Sequence, residues 1–143
     1  MRTTQVLLVD DNQADTDLTS EILTSSGCHV QSVTDGVEAI AFLRREGKYA
    51  IAAPPDFVIL DLNLPRKDGR AVLAEVRADP LLRKIPIAIF STSEAREDVV
   101  RSYDLGANCY VSKPGNLRDF VSAVTSIGKF WFSLARLPNE EER

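Results

Sequence analysis

Short apolar runs alternate along the chain with longer stretches of helical period. The run Phe57-Val58-Ile59-Leu60 is apolar at every position, as in a central strand of a parallel sheet buried on both faces. Val6-Leu7-Leu8-Val9, His29–Val33, Ile87–Phe90 and Cys109-Tyr110-Val111 complete a set of five predicted strands. Between the first two, Ala14, Leu18, Ile22 and Ser25 share one face of a helix near Ala14–Ser26, which Gly27 ends. Thr34-Asp35-Gly36 opens a second helix bearing Val37, Ala39, Ile40, Phe42 and Leu43. Consecutive Pro54 and Pro55 make Gly47–Asp56 a loop. Ala71, Val72, Leu73, Val76 and Ala78 mark the third helix, Glu94 to Leu105 the fourth, and Leu117 to about Leu137 the last. The pattern predicts an α/β fold of five βα units without internal repeats.

Open sheets of this kind present ligands to the residues that follow the carboxyl ends of their strands. Here those residues are polar: Asp10 and Asp11 after the first strand, Asp61 after the third, Ser91 and Thr92 after the fourth, and Lys113-Pro114 after the fifth. Carboxylates brought together repel, and a hard cation with oxygen ligands keeps them ionised. Mg²⁺ suits such a set. An aspartate beside the ion can attack phosphorus, while an ammonium and a hydroxyl bind phosphoryl oxygens. The inventory matches phosphoryl transfer to Asp61. Plainer roles compete with it. Asp10 and Asp11 could serve the following helix through capping and its dipole, Ser91, Thr92 and Ser93 could each cap a helix, and Tyr110 could be a packed aromatic.

Taken together and in this order, these residues resemble the CheY-like receiver domains of two-component response regulators. Ser91 lies 30 residues and Lys113 lies 52 residues beyond Asp61, which agrees with that family and selects Ser91 over Thr92. The resemblance covers about residues 5–127 and implies a flavodoxin-like doubly wound sheet of strand order 2-1-3-4-5. It implies that Asp61 is the phosphoacceptor for a sensor histidine kinase, and that Asp11, Asp61 and the backbone carbonyl of Asn63 hold Mg²⁺, with Asp10 joining mainly through water. Lys113 and Ser91 would bind the phosphoryl group, and Tyr110 would be the switch aromatic. More narrowly, the 47–56 loop, Asp61–Arg70, Ser102-Tyr103-Asp104-Leu105-Gly106 and Phe130-Trp131-Phe132 resemble small stand-alone regulators paired with bacterial phytochrome kinases.

Composition narrows the alternatives. The 143 residues suit one domain, with a core near 5–127, a helical extension near 128–137 and a polar tail at 138–143. No second output domain fits, so signalling would proceed through a changed binding surface. A net charge of −4 argues against a nucleic-acid partner or an anionic membrane surface. No apolar run approaches the ~20 residues of a membrane span, and a cytoplasmic location is expected. Cys28, just before strand two, and Cys109, on strand five, lie at opposite sheet edges in the strand order the resemblance implies and should stay reduced. His29, the one histidine, excludes a multi-histidine metal centre. The last helix, about 21 residues and roughly 30 Å long, exceeds what the sheet needs. Its Phe130, Trp131 and Phe132 predict a projecting homodimer surface; the competing arrangement folds them back over the core. Two other functions stay open: a Mg²⁺-dependent phosphatase-like hydrolase with an aspartate nucleophile, and a receiver-shaped scaffold that takes no phosphate.

Overall fold

The computed structural model describes residues 3–138. Five parallel strands, β1 (Gln5–Val9), β2 (His29–Val33), β3 (Phe57–Leu60), β4 (Ile87–Ser91) and β5 (Cys109–Ser112), pair in the order β2-β1-β3-β4-β5. The helices are α1 (Gln13–Ser25), α2 (Gly36–Leu43), α3 (Gly69–Ala78), α4 (Arg96–Asp104) and α5 (Leu117–Gly128). This is the expected flavodoxin-like receiver topology. Strand pleat divides the core in two. Leu7, Val9, Val58, Leu60, Ile87 and Ile89 pack against α2 and α3. Their neighbours Val6, Leu8, Phe57, Ile59, Ala88 and Phe90 face the other way, against α1 and α5. Because β1, β3 and β4 meet helices on both faces, Val6–Val9, Phe57–Leu60 and Ile87–Phe90 are apolar at every position and buried.

Side-chain caps start four of the helices. Asn12, Asp35, Asp68 and Asn116 each accept a hydrogen bond from the backbone N–H three residues on, satisfying donors that a helix leaves free. Helix α4 begins at Arg96, two residues later than its apolar pattern suggests, behind Ala95, which makes no side-chain cap. Among the described residues no helix is long and apolar enough to cross a membrane. Both cysteines are free thiols, Cys28 buried and Cys109 half-buried.

Three expectations change. The buried face of α1 is Thr16, Thr19 and Leu23, whereas Ala14 and Ser25 are exposed and Leu18 and Ile22 half-buried. Leu18 and Ile22 lie at the side of the contact with the α1/α5 core, which rotates the inner stripe onto Thr16 and Thr19. In α3, Val72, Leu73 and Val76 are buried, but Ala71 and Ala78 face solvent.

The third change concerns the carboxyl end. Helix α5 stops at Gly128, a π-helical turn spans Lys129–Leu134, and the backbone becomes extended at Ala135. The helical path thus runs on to Leu134, as an extended last helix, but does not project as a regular α-helix to Leu137. The wider turn swings Trp131 and Phe132 onto Phe57, with ring centroids 4.9 and 5.2 Å apart, and Leu137 is buried beyond them. The aromatic cluster therefore folds back over the protein's own core. Phe130 (51% exposed), Leu134 (75%) and Leu117 (68%) stay outside. The polar tail from residue 139 lies outside the described residues.

Candidate functional site

The carboxyl ends of β1, β3 and β5 gather a set of charged side chains at one rim of the sheet. Asp10 and Asp61 continue the pleat of β1 and β3 on the α1 side, and Lys113 continues β5 on the same side. One carboxylate oxygen from each of Asp10, Asp11 and Asp61 lies within 4.8 Å of the others. Asp10 and Asp61 are buried, while Asp11 opens to solvent. Oxygen donors alone, negatively charged and partly open to water, fit a hard divalent cation that keeps part of its hydration shell.

Lys113 closes the inner side of this cluster. Its ammonium donates to Asp10 Oδ2 at 2.7 Å, Asp15 Oδ2 at 2.9 Å and Asp61 Oδ2 at 3.1 Å, and lies 5.8 Å from the centre of the Phe90 ring. Burial draws the ammonium's pKa down, but the hydrogen bonds to Asp10 and Asp15, with the charge of Asp61, more than compensate and raise it. It stays protonated. Burial pushes the Asp10 carboxyl up, against the pull of Lys113 and of the Asn12 N–H. That N–H donates to Asp10 Oδ1 at 2.9 Å, and the N–H of Asn63 donates to Asp61 Oδ1 at 3.3 Å. The two buried carboxylates are thus oriented by the chain that follows each.

Glycines let the surrounding loops approach. A Cβ on Gly69 would overlap the carbonyl oxygen of Asp61, and one on Gly36 would overlap that of Lys67. The loop between β3 and α3 is therefore drawn tightly under Asp61 and against α2. Arg66, in the left-handed region at φ 66°, reaches Asp35 at 3.1 Å and ties the loop to the α2 cap.

Ser91 and Tyr110 belong to the opposite pleat, on the α3/α4 side. Ser91 is fully buried; its Oγ accepts from the N–H of Ser93 at 3.3 Å, and its carbonyl accepts from the N–H of Lys113 at 2.6 Å. The Tyr110 hydroxyl donates to the Ser93 carbonyl at 2.9 Å. The Ser93 hydroxyl donates to Asp98, which also receives Arg70, both at 2.6 Å. Those bonds hold the Asp98 carboxyl below the usual range, the one from Ser93 first.

The structure thus brings Asp10, Asp11, Asp61 and Lys113 together, places Ser91 on the adjoining strand end, and leaves the Asn63 side chain exposed. Sequence reasoning passed over Asp15 and Asp98, and weighed Ser93 only as a helix cap. An acid in the first turn of a helix has a ready explanation in the helix dipole, and only the docking of α1 shows that Asp15 faces Lys113.

Parallel βα units in this order, with acids after β1 and β3 and a lysine after β5 at a common rim, define a receiver domain. The response regulator receiver domain model matches residues 6–125, and the chain belongs to that family. It is similar to the response regulator Rcp1 of Synechocystis sp., with 42% identity over 135 residues that cover 93% of this chain and 92% of that one. Its structure is similar to that of the phosphorylated cyanobacterial phytochrome response regulator RcpA, with TM-score 0.92 and 47% identity over 96% of this chain and 99% of that one. The Mn²⁺-bound form of Rcp1 gives TM-score 0.91 at 42% identity, covering 94% and 99% of the two chains. Receiver domains bind a divalent metal, and the acidic cluster here supplies fitting donors.

Proposed function

We propose that Asp61 accepts a phosphoryl group from the phosphohistidine of a sensor kinase, and that the phosphorylated chain signals through an altered protein-binding surface. The observation that carries this reading is the buried Lys113 ammonium, 3.1 Å from Asp61 Oδ2, beside the three clustered carboxylates. An Asp61 oxygen forms the new P–O bond as the P–N bond to the histidine breaks, and the ring nitrogen departs with the electron pair. With its other ring nitrogen already protonated, the imidazole leaves neutral and no further proton transfer is needed. Lys113 exchanges its Asp61 contact for a phosphoryl oxygen, and Ser91 donates its hydroxyl to another. Asp10, Asp11, Asp61 and the Asn63 carbonyl would hold Mg²⁺, which offsets the charge of the incoming group.

Engagement of Ser91 draws on the segment that carries Ser93, whose carbonyl holds the Tyr110 hydroxyl. Tyr110 is thereby the group through which phosphorylation biases the surface of α4, β5 and α5, a shift between two states of one fold. The likeness to Rcp1 and RcpA favours a phytochrome-type histidine kinase as the phosphoryl source, a transfer set in the cytoplasm. The chain acts as one receiver domain, a phosphoacceptor and not a turnover enzyme. It pairs with a second copy through the Phe130 face, where Phe130, Trp131, Ala123, Ile127, Val111 and Cys109 line a groove of about 580 Å³.

Incubation with acetyl phosphate and Mg²⁺ tests the central step. One phosphoryl group is expected on the wild type and none on Asp61→Asn, read by intact mass. Equal labelling of the two would place the acceptor elsewhere.

A further inference from the structure

Three N–H bonds leave the Lys113 ammonium, and three carboxylates receive them, from Asp10, Asp15 and Asp61. The Lys113 side chain is 3% exposed and Asp15 is 26% exposed, so water competes weakly for the inner two contacts and modestly for the third. Asp15 is itself held in place, because its backbone N–H donates to the Asn12 cap at 3.0 Å in the first turn of α1. Among the described residues, the acidic cluster suited to a cation contains Asp10, Asp11 and Asp61 and does not include Asp15. The Asp15 carboxylate therefore serves the lysine.

We propose that Asp15 is a positioning residue for phosphoryl transfer: with Asp10 it pins two N–H bonds of Lys113 and leaves the third aimed at Asp61 and the arriving phosphoryl oxygen. The proposal rests on Asp61 being the phosphoacceptor. During transfer from acetyl phosphate, the Asp61 oxygen bonds to phosphorus, the P–O bond to the acetyl group breaks, and acetate leaves with its electron pair. The third N–H must meet the phosphoryl oxygen at that moment. Without Asp15 the ammonium pivots on Asp10, and its alignment is lost while its charge remains.

Phosphorylation rates with acetyl phosphate and Mg²⁺ and calorimetric Mg²⁺ titrations on the same variants test this. Asp15→Ala is expected to slow labelling about tenfold with Mg²⁺ affinity within about twofold of the wild type. Asp15→Asn keeps an acceptor oxygen at the same place and is expected to label within about threefold of the wild-type rate. In a Lys113→Ala background, Asp15→Ala should add no further loss, since the two residues act as one unit. Wild-type rates in Asp15→Ala would overturn the proposal. So would equal losses in the Ala and Asn variants, which a helix-dipole role predicts, or a parallel loss of Mg²⁺ affinity. A wild type that takes no label would instead overturn the phosphoacceptor reading on which the proposal stands.

Discussion

At the residue scale the site and its surroundings run on charged hydrogen bonds whose strength depends on burial. Tyr49 packs on Phe42, centroids 5.0 Å apart, and its hydroxyl donates to Glu38 at 2.5 Å. Burial, then this bond and the Glu38 charge, push the phenol up to about 12, and the same bond holds the Glu38 carboxyl below its usual range. A folded-state value above the unfolded one, near 10, means that Tyr49 stabilises the fold fully below about pH 10. That contribution disappears as pH rises through about 12. Alkaline absorbance titration should show a phenol ionising near 12, and Tyr49→Phe should remove that transition. This pairing is not legible in the sequence, where Pro54 and Pro55 make Gly47–Asp56 a loop. A short 3₁₀ turn at Gly47–Tyr49 brings it back over α2.

At the element scale, strand pleat decides which chemistry faces which helices. Asp10, Asp61 and Lys113 share the α1 side, whereas Ser91 and Tyr110 share the α3/α4 side, so the charged groups and these two hydroxyls lie on opposite faces of the sheet. The central strands β1, β3 and β4 were legible because short apolar runs bounded by turn residues suit a doubly covered sheet. Helix faces were less so: α1 carries Thr16 and Thr19 inward, and no hydropathy pattern separates a buried threonine from one on the surface. The carboxyl end misled for another reason. A regular α-helical period cannot represent the π turn at Lys129–Leu134, which re-aims Trp131 and Phe132. Trp131→Ala is expected to cost about 2 kcal/mol in denaturant unfolding, below the ~3–5 of a fully buried aromatic because Trp131 is half-buried. Phe130→Ala should leave the monomer's unfolding free energy within about 0.5 kcal/mol of wild type while lowering the native mass from dimer to monomer in sedimentation. A wild type that sediments as a monomer would remove the dimer surface.

For the whole molecule, the rim is a place where stability is given up for binding. Asp10, Asp11 and Asp61 lie together with one lysine, and like charges at such range destabilise the apo fold. A cation that binds only the native state returns that stability by mass action, about 2.7 kcal/mol at one hundred times its Kd. For a domain of this size the melting temperature should rise by roughly 8 °C. Asp11→Asn should melt at or above the wild-type temperature without Mg²⁺ and lose most of the rise with it. Scanning calorimetry at several Mg²⁺ concentrations measures both effects, and a wild-type melting temperature indifferent to the ion would count against the metal site.

The succession of strands and helices along the chain and the placement of acids and lysine after strand ends were determined by the sequence alone. Each follows from local rules: apolar runs form buried strands, and a chain leaving a parallel strand must emerge at the sheet's carboxyl rim. The tertiary structure alone decided which side chains touch across elements. Lys113 meets Asp15 across 98 residues of chain, and Trp131 meets Phe57 on the α1/α5 face of the sheet. Such contacts depend on how helices rotate and tilt as they dock on the sheet, and those angles are set by packing among many residues at once.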